Sequence, residues 1–307
     1  MILEHRVTTE EEGNALLLIL RRSMGLSAAQ VRALKAHGGL HVDGVLRFTT
    51  YEVSAGELVT ANVTQAEREG DNIPEIGALE VLWEDEGLIA VNKPPGLIVH
   101  PSRARLTGTL ANFVAGYLQQ SGQRPICHIV NRLDRDTSGV VLFAKNAHMK
   151  SKASVALRTA EKRYTALILG NLEPRTGTID LPIRRFEPRN MRRVVAEDGK
   201  RAVTHYRRVA EGVLAGQPCS ALELTLETGR THQIRVHCLA RGAPLVGDPL
   251  YYTEQSRALS QTLGVERQLL HSHALMFEHP TTGAQVALEA PIRDGRFGDL
   301  LKEVKDG

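Results

Sequence analysis

Between Arg132 and Gly139 the chain reads Arg-Leu-Asp-Arg-Asp-Thr-Ser-Gly, which sets the carboxylate of Asp134 between two guanidinium groups in a turn that ends on glycine. The next five residues, Val140-Val141-Leu142-Phe143-Ala144, are a short continuous apolar run of the kind that forms a buried strand. A carboxylate held at the edge of a core between cations is favoured in its ionised form. A positioned, ionised Asp can serve as a nucleophile or a general base. Two other readings compete. Asp134 could be one half of an ordinary surface ion pair. Asp134, Asp136 and Ser138 before Gly139 also imitate the start of a calcium loop. That second alternative fails, because Lys145 stands where the closing glutamate belongs and a strand rather than a helix follows.

The rest of the chain offers few rival centres. Histidines 232, 237, 271, 273 and 279 are numerous, yet none falls in a His-Glu-x-x-His pattern and no cysteine pair has zinc spacing, so no metal is expected. Lys93-Pro94-Pro95-Gly96 lacks the Gly-x-x-x-x-Gly-Lys of a phosphate loop and reads as a fixed turn near the cleft. Cys127, Cys219 and Cys238 are odd in number and unpaired in spacing; they read as small core residues in a reducing compartment. No stretch approaches the roughly 20 apolar residues of a membrane span. The N-terminal stretch carries Glu4, Glu10, Glu11 and Glu12 without a signal-peptide pattern, so a cytoplasmic location is expected.

A net charge of +3 over 307 residues does not by itself point to nucleic acid. Its distribution does. From Arg184 to Arg208 lie Arg184, Arg185, Arg189, Arg192, Arg193, Lys200, Arg201, Arg207 and Arg208, against only Glu187, Glu197 and Asp198. Such a cluster is either a solvated basic hairpin or a surface that tracks phosphates and releases counterions.

Several elements must position these groups. Ser27 with Gln30 has the form of a capping box, and Leu26 with Val31 that of a staple, so a helix is expected over 27–35 with Arg32 and Lys35 on one exposed face. Gly38-Gly39 ends it, Leu40-His41-Val42 reads as a strand, Asp43-Gly44 as a hairpin turn, and Leu58 to Val63 as a further strand. Gln65 to Ala78 reads as a linker. Beyond it, a helix after Thr109 and strands at Tyr164–Leu169 and Ala221–Leu226 follow without regular βα alternation, which gives an α+β class.

The run from Arg132 to Gly139 resembles the signature of the RluA-type RNA pseudouridine synthases, and four more segments match in the same order. These are Val91-Asn92-Lys93-Pro94-Pro95-Gly96 through Pro101, Lys162-Arg163-Tyr164, Thr228-Gly229-Arg230-Thr231-His232-Gln233-Ile234-Arg235 with Gly247-Asp248-Pro249-Leu250-Tyr251, and Leu270-His271 to Ala290-Pro291. Together they cover about residues 79–292. The resemblance implies the mixed, mainly antiparallel sheet of pseudouridine synthases and a reaction that needs no cofactor. It implies Asp134 as the catalytic carboxylate, attacking C6 of the base or assisting at C1′ of the ribose. Tyr164 would pack on the target base and assist proton loss from C5, and Arg235 would pair with Asp134. Arg132 would hold the site vacated by a flipped nucleotide, while Arg230 and His232 would face phosphate or support the loop. Asn131 replaces the His that many members carry there, a departure bearing on substrate preference.

Residues 12–64 resemble the small RNA-binding domain named after a small-subunit ribosomal protein, with Ala28 where an Arg often follows the capping Ser. Two domains are therefore expected: an RNA-binding module within 1–70, contacting RNA through Arg32 and Lys35, and a catalytic domain over 79–295. The expected substrate is ribosomal RNA of the large subunit, with transfer RNA as the alternative, and the expected state a monomer. A noncatalytic RNA-binding or ribosome-assembly protein would not require Asp134, Tyr164 and Arg235 together, and a metal-dependent hydrolase would need a ligand cluster that the sequence lacks.

Overall fold

The computed structural model of the protein describes residues 2–36, 38–63, 72–101, 105–187 and 190–306. Arg189 and residues 65–71 of the expected linker lie outside them.

The N-terminal module is a four-stranded sheet with its own core, built from Val7, Leu16, Leu20, Leu34, Val42 and Val59 among others. The capping box forms: Ser27 N donates to Gln30 Oε1 at 2.8 Å, Gln30 N to Ser27 Oγ at 3.2 Å, and the helix runs Ala28–Ala36. Val31 and Leu34 face the core, leaving Arg32 and Lys35 exposed. Asp43 and Gly44 both take positive φ, 47° and 78°, as a tight hairpin turn between Leu40–Val42 and Val45–Leu46 requires. The edge strand Ile2–Arg6, paired with Leu58–Asn62, escaped the sequence reading because only alternate residues are part-buried.

The second unit is a ten-stranded mixed sheet. Its centre is the strand Ser138–Ala144, buried at every residue and antiparallel to the equally buried Leu88–Lys93. Burial on both faces explains the unbroken apolar run. Helix Leu110–Gln120 covers one face through Leu110, Val114 and Leu118, and helix Ala147–Ala156 the other through Met149 and Ala153. A second half pairs Glu161–Leu169, Gln217–Leu226 and Val203–Leu214 in antiparallel register. Helix Gln233–Ala240 lies on one side of it, and helices Glu254–Thr262 and Gly295–Asp306 on the other.

Strand Leu270–Glu278 joins the halves, antiparallel to Glu161–Leu169 and parallel to the start of the central strand, with His271 opposite Ser138 and Ser272 opposite Gly139. Gly139 is required at that seam. Its φ is 114°, and a Cβ there would sit 2.1 Å from the Ser272 carbonyl oxygen.

The packed unit exceeds the expected 79–295. Phe297, Leu300 and Val304 of the last helix are fully buried. Upstream, the second half of the expected linker is docked rather than free. Asn72 Nδ2 donates to the Cys127 carbonyl at 2.9 Å, and buried Asn112 ties the segment to helix Leu110–Gln120 by donating to the Ile73 carbonyl at 2.8 Å and accepting, through its own carbonyl, from Glu75 N at 3.0 Å. The docking of 72–78 depends on pairing with a helix distant in the chain, which local sequence does not reveal.

Candidate active site

The loop 130–137 enters the central strand from a cleft of about 350 Å³. Leu133 packs between the two sheet cores, so its neighbours turn the other way: Asp134 lines the cleft, one-quarter exposed, and Arg132 is exposed at the mouth. The loop is pinned on both sides of Asp134. The Asn131 side chain imitates a neighbouring strand, accepting from Leu142 N at 2.7 Å and donating to the Val140 carbonyl at 3.2 Å. Lys93, fully buried, donates to the carbonyls of Arg135 at 2.7 Å and of Pro94 and Leu97 at 2.8 Å. Burial pushes its ammonium down to about 7. Arg267 holds the Asp136 carbonyl at 3.1 Å, and Gln268 donates to Thr137 Oγ1 at 3.1 Å.

Asp134 meets Arg235 across the cleft floor, Nη1 to Oδ2 at 3.1 Å. The same guanidinium is gripped from its other edge by Asp248, Nε to Oδ2 at 2.7 Å and Nη2 to Oδ1 at 2.8 Å, a bidentate pair whose Asp248 side chain is wholly buried. Burial opposes the Arg235 charge, but the Asp248 hydrogen bonds and the two carboxylate charges outweigh it and hold the guanidinium above its ordinary value. Asp248 is itself fixed by the amides of Leu250 and Tyr251, each at 2.9 Å. Gly247, φ 80°, allows this turn, since a Cβ would lie 1.9 Å from the Arg267 carbonyl oxygen. Arg235 therefore presents one remaining edge to Asp134, in a fixed direction.

Tyr164 stands beside Asp134 on strand Glu161–Leu169, 8 % exposed and hydrogen-bonded to Ser272. Burial pushes its hydroxyl up to about 12, so the phenol stays protonated through the neutral range. His232 adopts a left-handed φ of 59° at the start of helix Gln233–Ala240, a conformation His tolerates better than most residues. Its side chain is turned inward, with Nδ1 at 2.8 Å from the Tyr251 hydroxyl and Nε2 at 3.9 Å from Asp134 Oδ1. Arg230 is exposed at the rim, its Nε donating to the Arg201 carbonyl at 3.0 Å. Arg135 is occupied by Asp136 at 2.8 Å, whereas Arg132 has no hydrogen bond or ion pair among the described residues.

The basic segment needs correction. Hairpin Ile183–Arg185 with Arg193–Val195 is basic and exposed in part, but the expected run to Arg208 is not one surface. The fold brings acids from outside the segment onto its second half: Glu223 to Arg207 at 2.9 Å, Glu173 to Arg208 at 2.6 Å and Glu227 to Arg201 at 2.8 Å. Counting acids only within 184–208 missed them. Among the described residues no group of three or more His, Cys, Asp or Glu could hold a metal ion. His237 and His271 are engaged instead by Thr204 and the Leu181 carbonyl, and by Ser138 and the Ala290 carbonyl.

A sequence model of the RNA pseudouridylate synthase family matches residues 87–240, which include the pinned loop, Tyr164 and Arg235. The chain is also 36 % identical over 292 residues to an uncharacterized RNA pseudouridine synthase, YhcT, of Bacillus subtilis, covering 94 % of this chain and 93 % of that one. The chain belongs to the RNA pseudouridylate synthase family. This RNA pseudouridine synthase is 38 % identical over 269 residues to ribosomal large subunit pseudouridine synthase D of Nitrosomonas europaea, covering 86 % and 76 % of the two chains. Among solved structures it resembles human RNA pseudouridylate synthase domain containing 1, with a TM-score of 0.56 and 28 % identity over 71 % of this chain and 86 % of the other. The protein is thus an isomerase acting on RNA, built on the α+β pseudouridine synthase fold, and no helix among its described residues is long and apolar enough to cross a membrane.

Proposed function

We propose that Asp134 is the nucleophilic carboxylate of this pseudouridine synthase and that its substrate is large-subunit ribosomal RNA. The observation that carries the first part is the fixed approach of Arg235 Nη1 to Asp134 Oδ2 at 3.1 Å, on a loop held at Asn131, Arg135, Asp136 and Thr137 beside Tyr164. Isomerisation breaks the N1–C1′ bond of uridine and forms C5–C1′. C5 loses a proton and N1 gains one, with no net change in atoms or electrons, so an oriented carboxylate suffices to open the path. Arg235 keeps Asp134 aimed. Tyr164 offers its ring to the base. Because its hydroxyl is protonated in the free enzyme, it accepts the C5 proton only as its own proton moves on, for which Ser272 is the neighbouring hydroxyl.

Arg132, exposed at the mouth and without a partner among the described residues, is suited to fill the stack left by an extruded nucleotide, where a cation offsets part of the few kcal/mol of flipping. Arg230, the 183–195 hairpin, and Arg32 and Lys35 of the N-terminal module supply phosphate contacts. Three free buried cysteines fit the cytoplasm. The name of the Nitrosomonas relative supports the ribosomal target.

Two measurements test this. Asp134→Asn keeps the shape of the side chain and removes its charge; it should fold, bind RNA and fail to release label from uridine tritiated at C5. Retention of more than a few per cent of turnover would exclude Asp134 as the nucleophile. Mapping pseudouridine in total RNA from cells with and without the gene should show a site lost from large-subunit RNA, and losses confined to transfer RNA would move the substrate there.

A further inference from the structure

Tyr251 touches more of this site than its position in the chain suggests. It is 1 % exposed and follows Asp248 by three residues. Its hydroxyl oxygen accepts from the backbone N–H of Arg193, at the start of the second hairpin strand, at 2.7 Å, and lies 2.8 Å from His232 Nδ1. Its ring carries the Arg235 guanidinium on a face at 5.0 Å and meets the His232 ring edge-on at 5.5 Å. His232 in turn directs Nε2 toward Asp134 Oδ1, the oxygen that Arg235 does not hold.

We propose that Tyr251 and His232 form a positioning relay, running from the basic hairpin to the second oxygen of Asp134, in which Tyr251 fixes the tautomer of His232. The proposal rests on Asp134 being the catalytic carboxylate. A carboxylate only accepts, so a neutral imidazole that faces Asp134 favourably must carry its proton on Nε2. Nδ1 is then a bare acceptor, and the hydroxyl of Tyr251 is its donor. That hydroxyl is free to donate because the Arg193 N–H occupies an oxygen lone pair from another direction. Burial pushes His232 below its ordinary value despite the attraction of Asp134, with Arg235 and Arg193 opposing its protonation and Asp248 favouring it, so the ring is neutral near pH 7. At 3.9 Å the His232–Asp134 contact is open in the free enzyme; hydrogen bonds of this kind tighten when substrate closes the cleft. Arg235 and His232, both on or beside helix Gln233–Ala240, then hold the two carboxylate oxygens and fix the plane in which Asp134 attacks.

The test uses the full-length enzyme and a structured RNA substrate. Tyr251→Phe keeps the ring and its contact with Arg235 and deletes the hydroxyl, the donor to His232 and the acceptor for the Arg193 N–H. It should lower kcat about tenfold with KM changed less than about twofold. In a ¹⁵N-histidine spectrum, His232 should be a single Nε2–H tautomer in the wild type and a mixture in Tyr251→Phe. His232→Asn tolerates the left-handed backbone but is too short to reach Asp134, and should show a similar kcat loss; His232→Gln, which reaches, should recover most of it. Wild-type kcat in Tyr251→Phe, or an Nδ1–H tautomer in the wild type, overturns the relay. Asp134→Asn in the same assay separates the two failures. If it retains turnover, the reading of Asp134 fails. If it is inactive while Tyr251→Phe is normal, the relay alone fails. Should Tyr251→Phe not fold, the wild-type spectrum and the His232 pair decide the matter.

Discussion

The floor beneath Asp134 and the rim around it are both rich in cations, and they use them in opposite ways. On the floor, Arg235 and Lys93 are at most 5 % exposed, and each donor has one partner at one angle. At the rim and beyond, Arg132, Arg184, Arg185, Arg32 and Lys35 are exposed, and their positive charge matters more than its exact placement. Buried cations in fixed geometry set the orientation of a reacting group, and removing one leaves its partner stranded in low dielectric. Exposed cations act through a field that salt screens within about 8–10 Å. In the proposed function the same residue types therefore serve turnover on the floor and RNA affinity at the rim.

The largest break in this contrast is Arg235→Ala. It strands Asp248, whose side chain has no exposure, and stability should fall by about 3–5 kcal/mol. Activity should drop sharply. Thermal melts should show the lost stability and assays at saturating RNA the lost turnover, with RNA affinity changed little; wild-type turnover in the folded variant would sink the assignment.

Lys93→Met should come next. It leaves three backbone carbonyls without their donor and unpins Arg135, so turnover should fall and stability with it by about 2–4 kcal/mol. The sign of its pH dependence is a sharper check. Between about 7 and the ordinary value of 10.5 the unfolded chain keeps a proton on Lys93 that the folded chain gives up, so wild-type stability gains from rising pH across that window. Chemical denaturation at several pH values should show that slope reduced in Lys93→Met.

Tyr164→Phe keeps the ring that can stack on a base and removes the hydroxyl. RNA affinity should be unchanged and turnover lost at the step of proton removal from C5, seen as binding without tritium release. Full activity would reduce Tyr164 to a stacking platform.

Smallest per residue should be the rim. Arg184→Ala with Arg185→Ala should raise KM severalfold and lower the salt dependence of binding by roughly one to two units of slope, with kcat at saturation changed little. Arg32→Ala with Lys35→Ala should act likewise only on RNA large enough to reach the N-terminal module. Salt titrations of affinity on a long and a short RNA separate the two surfaces, and an unchanged slope for both variants would deny them phosphate contacts.

Local pattern alone identified the loop at 132–139, the capping box at Ser27 and Gln30, and the buried strand after Gly139, because each is a short-range device whose residues are neighbours in the chain. Motif resemblance added Tyr164 and Arg235 as partners of Asp134, and the structure brings the three to one cleft from segments 30 to 101 residues away. What remained hidden depends on pairing across distance. Asp248 as the second hand on Arg235, Lys93 and Arg267 as clamps on the loop's carbonyls, and Tyr251 behind His232 each act on atoms that sequence order keeps apart. The basic segment shows the same limit from the other side. Arg207 and Arg208 count as free charge in the sequence, and only the tertiary structure reveals the glutamates paired with them, one across the sheet and one on a strand connection. Residue types fix which interactions are possible; burial and strand register decide which partner each charge meets, because a desolvated charge must be paired by whatever the fold brings within reach.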